Sequence, residues 1–175
     1  MRLFIAVNFP AEVKETIVQI RDSLKQAARH GNYSLDENLH LTLVFLGECD
    51  DRQVKTVKAI MDDAWFNTLT LSLDKVGRFR RNNGDIWWIG LKPNQALTEL
   101  QTDLMIRLIQ EGFTLENRIF SPHITIGRQV KTRPQFDIPQ FPQIYFTIES
   151  IELMKSECIN GKLTYTQIYS IDTSD

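Results

Sequence analysis

The chain has 175 residues, enough for one compact domain or two small lobes sharing a core. Apolar residues make up 42%, a globular composition, and the net charge of −2 with a pI near 5.9 excludes a broadly basic nucleic-acid-binding surface. Two cysteines, Cys49 and Cys158, are too few for a disulfide framework and have no partners at metal-ligand spacing, so a reduced, cytoplasmic setting is expected.

In chain order, RLFIAVNF (2–9) reads as a first strand stopped by Pro10. Residues 11–30 read as a helix with Val13, Ile17, Ile20, Leu24 and Ala27 on one face and Gly31 as its C-terminal cap. Asn38 to Leu46 is a second strand. Asp50 caps the next helix with Gln53 three residues on, and Val54, Val57, Met61 and Ala64 form its apolar face.

LTLSLDKV (69–76) alternates as a strand. RFRRNNGD (78–85) is a polar turn carrying the hairpin pair Asn83-Gly84, and IWWIGL (86–91) pairs back. A third helix runs from about Asn94, buried along Leu97, Leu100, Leu104 and Leu108, and ends at Gly112. HITIGR (123–128) is a strand and 131–143 a loop with three prolines. Residues 144–156 read as one long strand, Asn160-Gly161 as a turn, and 162–171 as the last strand, followed by a frayed tail. No signal peptide, membrane-length run, low-complexity segment or domain-separating linker stands out. The mixed order with late hairpins predicts a single α+β domain over 1–175.

The chemistry concentrates in two stretches, NLHLTLVFLG (38–47) and SPHITIGR (121–128). Residues i and i+2 of a strand share a face, so His40 stands beside Thr42 and His123 beside Thr125, with leucine or isoleucine on the opposite face of each strand. With 14 threonines in 175 residues, two such pairs among three histidines arise by chance roughly one time in fifty. A lone histidine in a strand is more often structural; the repetition favours function. Two facing imidazoles can take a proton from an attacking water and give one to a leaving oxygen, and two hydroxyls can donate to the equatorial oxygens at phosphorus. No carboxylate accompanies either histidine in sequence, which disfavours a two-metal site; no metal and no cofactor are expected.

HLTL (40–43) and HITI (123–126), with RLFIAVNFP, IWWIGL, PHITIGR, ESIELMKSE and GKLTYTQIYS in order around them, resemble the twin signature of the 2H phosphoesterase superfamily. Within it the chain is similar to the RNA 2′,3′-cyclic phosphodiesterases, also called 2′-5′ RNA ligases. The resemblance implies a two-lobed α+β fold with a pseudo-two-fold, antiparallel sheets flanked by helices, and a central metal-independent cleft. It implies hydrolysis of an RNA terminal 2′,3′-cyclic phosphate to a 2′-phosphomonoester. His40 would be the proton donor and His123 the proton acceptor, a direction the residues themselves leave open. Arg128 would hold the phosphate or terminal nucleotide, although strict alternation from His123 puts it on the wrong face unless Gly127 marks a bulge or strand end.

Weaker candidates are Phe79 as a base-stacking residue, with Arg78, Arg80 and Arg81 as a basic lip, and Arg118, Lys131 and Arg133 along an RNA path. Of Trp87 and Trp88, adjacent in a strand, one faces the core and the other the cleft. Tyr165 and Tyr169 either pack or line the site, and His30 is expected at a helix end near its dipole. The partners expected are RNA 3′ ends or small cyclic phosphates, with no membrane and a monomeric protein. The rival readings are a phosphodiesterase or reversible ligase acting on small cyclic phosphates or 2′-5′ linkages, and a non-catalytic RNA- or nucleotide-binding module.

Overall fold

A computed structural model describes residues 1–133, 136–138 and 140–174; of the proline loop, Pro134, Gln135 and Pro139 lie outside the described residues. Two antiparallel sheets carry the α+β fold. Strand β1 (Arg2–Val7) is flanked by β3 (Leu41–Glu48) and β8 (Ser150–Ile159), and β9 (Lys162–Asp172) pairs on the outside of β8. The second sheet runs β2 (Ala28–Tyr33), β6 (His123–Thr132), β5 (Asp85–Leu91), β4 (Leu69–Phe79) and β7 (Tyr145–Ile148). The helices cross between lobes: α1 (Ala11–Ala27) follows β1 but packs on β2 and β6, whereas α3 (Gln95–Gln110) follows β5 but packs on β3 and on α2 (Asp51–Asp62).

Periodicity places each helix face correctly. Val13, Ile17, Ile20 and Leu24 of α1 are buried, as are Leu97, Leu100, Leu104 and Leu108 of α3. In α2 Ile60 joins Val54, Val57 and Met61, while Ala64 lies just past the helix end. The capping box is complete: Asp50 Oδ1 accepts from Gln53 N, and Gln53 Oε1 accepts from Asp50 N. One continuous buried cluster draws on both sheets and all three helices, including Leu3, Ile5, Val7, Leu41, Trp87, Ile89, Ile124 and Ile126. Burying each such side chain contributes about 1.5–3 kcal/mol.

Four expectations are corrected. Helix α1 stops at Ala27, and residues expected to finish it form β2 instead; Gly31 and His30 therefore sit in a strand, with His30 opposite Lys131 of β6. ARHGNY lacks an apolar stripe of its own, and pairing with a distant strand decides its state. The first strand ends at Val7. The second begins at Leu41, because Asp36–Asn38 form a 3-10 turn. The long strand at 144–156 is two strands in different sheets, parted at Glu149. No helix among the described residues is long and apolar enough to cross a membrane.

Candidate active site

His40 sits between the 3-10 turn and β3. Its Nδ1 lies 2.7 Å from the Asn38 carbonyl oxygen and its Nε2 lies 2.9 Å from Thr42 Oγ1. A carbonyl only accepts, so the Nδ1 proton is fixed, and the neutral ring receives the Thr42 hydroxyl at Nε2. Asn38 is itself locked: its side-chain amide donates to Leu163 O at 2.8 Å, and its Oδ1 accepts from Tyr165 N at 3.2 Å. The last strand thus holds the residue that holds His40.

Thr42 lies directly opposite Ala6 on β1, and directly opposed residues share a face. Leu3, Ile5 and Val7 of that strand point into the main core, leaving Phe4 and Ala6 with Met154 and Tyr165 as a second, smaller cluster. His40 rests on it. Its ring is 4.7 Å from Phe4 between centroids and 5.1 Å from Tyr165, the latter nearly perpendicular at 83°. Phe4 carries no sequence signal, since both faces of RLFIAV read as apolar.

His123 opens β6 with the same anchor: its Nδ1 lies 2.7 Å from the Ser121 carbonyl oxygen. It too is walled by two rings. Phe79 stands edge-on at 5.4 Å and 86°, and Trp88 lies 6.2 Å away. The indole of Trp88 spreads over Gly77, where a Cβ would come within 2.3 Å of the ring, and over Gly90 at 3.2 Å. Trp87 points the other way and is 1% exposed.

The alternation conflict at Arg128 is resolved by a bulge. Thr125 opposes Trp88 and Gly127 opposes Trp87, so Ile126 is an extra residue on β6, and Gln129 follows in the left-handed region with φ of 53°. Arg128 bears on the cleft: its charge is felt at His40. Burial holds the His40 imidazole below its ordinary value of 6.5, and the charges of Arg128, Lys14 and His123 push the same way against the opposing Asn38 bond. Both histidines, Arg128 and Lys14 of α1 therefore share one electrostatic environment. Lys14 was invisible in the sequence, where it reads as a polar-face residue of a helix.

Other candidates lie elsewhere. Arg78 pairs with Asp85 at 3.1 Å and sits over the Trp87 ring, away from Phe79. Arg80 and Arg81 are exposed in the hairpin turn, and Arg118 pairs with Glu116 at 3.2 Å. Tyr169 bonds Asp62 of α2 on the core side. Among the described residues no three of His, Cys, Asp and Glu converge as a metal-binding group.

The profile of the family described as LigT like phosphoesterase matches residues 7–88. The RNA 2′,3′-cyclic phosphodiesterase of Thermotoga maritima is 30% identical over 97% of this chain and 94% of its own. The enzyme of the same name from Escherichia coli strain K12 is 31% identical over 95% and 93%. Among solved structures, Escherichia coli LigT in complex with 3′-AMP superposes with a TM-score of 0.86 and 29% identity, covering 99% of this chain and 98% of that one.

Proposed function

The chain belongs to the 2H phosphoesterase superfamily, in its family of RNA 2′,3′-cyclic phosphodiesterases, and from that premise we propose that it opens the 2′,3′-cyclic phosphate at an RNA end to a 2′-phosphomonoester by histidine acid–base catalysis without a metal. It is an enzyme, a hydrolase of phosphodiester bonds. The observation that carries the mechanism is the doubled anchor: each imidazole is tied through Nδ1 to the carbonyl two residues before it and has a threonine two residues after it.

In the proposed reaction water attacks phosphorus in line with the P–O3′ bond. His123 Nε2 takes the water proton as the P–O bond forms. O3′ departs with the proton of His40 Nε2. Protonated His40 can no longer accept from Thr42, so the Thr42 hydroxyl is released to donate to a non-bridging oxygen, where Thr125 also donates. The anionic phosphate offsets the charges of Arg128 and Lys14, which lets His40 load its proton as substrate binds. Phe79 and Trp88 beside His123 offer a face for a base.

Both histidines come from one chain, which supports a monomeric enzyme, and the unpaired Cys49 and Cys158 support a reducing, cytoplasmic setting. The test is incubation with an oligoribonucleotide ending in a 2′,3′-cyclic phosphate, with and without chelator. A 2′-phosphate product formed in chelator is expected; a 3′-phosphate product, or full loss of activity on chelation, overturns the proposal.

A further inference from the structure

Glu152 is a buried carboxylate, 5% exposed, that the reaction above does not use. Its place is set by register. Thr42 opposes Ala6, and Ala6 opposes Glu152, so all three stand in one row across the cleft face of their sheet. Two strand spacings separate Glu152 from Thr42, about 10 Å. The flanking Ile151 and Leu153 point into the main core, which confirms that Glu152 looks the other way.

A cavity of about 310 Å³ opens at this carboxylate, between the chain leaving β1 and the β7–β8 junction. Phe9 and Ile148 supply apolar walls; Asn8, Thr147, Ser150, Glu149 and Glu152 supply polar groups. No lysine or arginine lines it, and two carboxylates do, which disfavours a phosphate and favours a neutral group rich in N–H donors. The volume is at the low end of the roughly 300–1,000 Å³ usual for ligand sites. The two Glu152 oxygens each accept one internal bond: Oε1 from the Ser150 hydroxyl at 2.6 Å and Oε2 from Asn8 N at 3.3 Å. A carboxylate accepts about four, so each oxygen keeps room for one more.

Two acceptors side by side match adjacent ring and exocyclic N–H groups. Guanine presents such a pair on its Watson–Crick edge. Adenine and cytosine present only an exocyclic amine there, and uracil a single ring N–H. We propose that this cavity is a base subsite in which Glu152 accepts two hydrogen bonds from guanine. It rests on the nucleotide chemistry proposed above, since the row places Glu152 about as far from the phosphate position as a base edge lies from its own phosphate.

The test is binding of guanosine and uridine 2′-monophosphates by titration calorimetry, a readout that needs no turnover. Wild-type protein is expected to bind the guanosine compound on the order of 10-fold more tightly, the size of a bidentate contact. Glu152→Gln and the cavity-filling Thr147→Trp, each checked for folding by circular dichroism, should abolish the preference, and Glu152→Gln should leave uridine affinity within about twofold. If Glu152→Gln does not fold, Thr147→Trp decides. Equal wild-type affinities, a preference surviving in a folded variant, or equal weakening of both nucleotides by Glu152→Gln would each overturn the subsite. None of these outcomes bears on whether the cyclic phosphate is opened.

Discussion

The indole of Trp88 lies flat over Gly77, so close that a methyl group on Gly77 would stand 2.3 Å from ring carbon Cη2. The obstructing atoms belong to a ring that is itself packed against Phe79, 5.3 Å away between centroids. Gly77→Ala therefore moves Trp88, and with it the wall of His123. Overpacking of this kind costs about 1–3 kcal/mol, and a small displacement at a reacting group costs up to roughly 10²-fold in rate. Thermal unfolding and kcat measured together should show both effects. A variant with wild-type kcat would mean that the indole does not position His123.

Single replacement of His40 or His123 by alanine should lower kcat by at least about 10²-fold, with folding intact, because each acts through its own proton transfer. The double variant should lose little more than either single one, since the two steps belong to one transition state. Multiplicative losses in the double variant would count against concerted acid–base action.

Arg128→Ala should shift the pH dependence as well as weaken substrate binding. Burial and the charges of Arg128, Lys14 and His123 hold His40 below 6.5. If protonated His40 is the acid, activity is lost as pH rises through that lowered value. Removing Arg128 removes one repelling charge, so the His40 pKa rises and the falling limb of kcat/KM moves to higher pH. Movement of the rising, acid-side limb to higher pH instead would assign His40 to the opposite role, and two unmoved limbs would separate Arg128 from His40 altogether.

Asp50→Ala removes the side chain that receives Gln53 N at the start of α2. A loss of about 1 kcal/mol is expected in denaturant unfolding, the usual worth of such a cap, with kcat unchanged because α2 contributes no group to the cleft. A much larger loss would mean that α2 is held by its first turn more than by Val57 and Met61 in the core.

Much of this was legible in the sequence because the residues involved obey local periods. Leu39, Leu41 and Leu43 alternate with His40 and Thr42, and the leucines are indeed buried. Helix faces repeat at three and four. What escaped depends on pairing with distant strands. The bulge that brings Arg128 to the cleft exists because β5 and β6 differ by one residue there. The break at Glu149 leaves a pattern with strand character on both sides, and nothing local says that β7 and β8 join different sheets. Phe4 was hidden because its strand is apolar on both faces, one serving the core and the other His40.

The carbonyl anchors of His40 and His123 have a consequence for proton accounting. With Nδ1 tied to Asn38 O and Ser121 O, each imidazole has one port, Nε2, through which protons can pass. In the proposed reaction a turnover ends with His40 emptied and His123 filled, the mirror image of the starting state. That mirror state is primed to push a hydroxyl back onto phosphorus and to release water. Forward cycling therefore requires a proton to return from one Nε2 to the other, through solvent or buffer, before the next cyclic phosphate is opened. When that return is slow, turnover should respond to buffer concentration while a single round of opening does not.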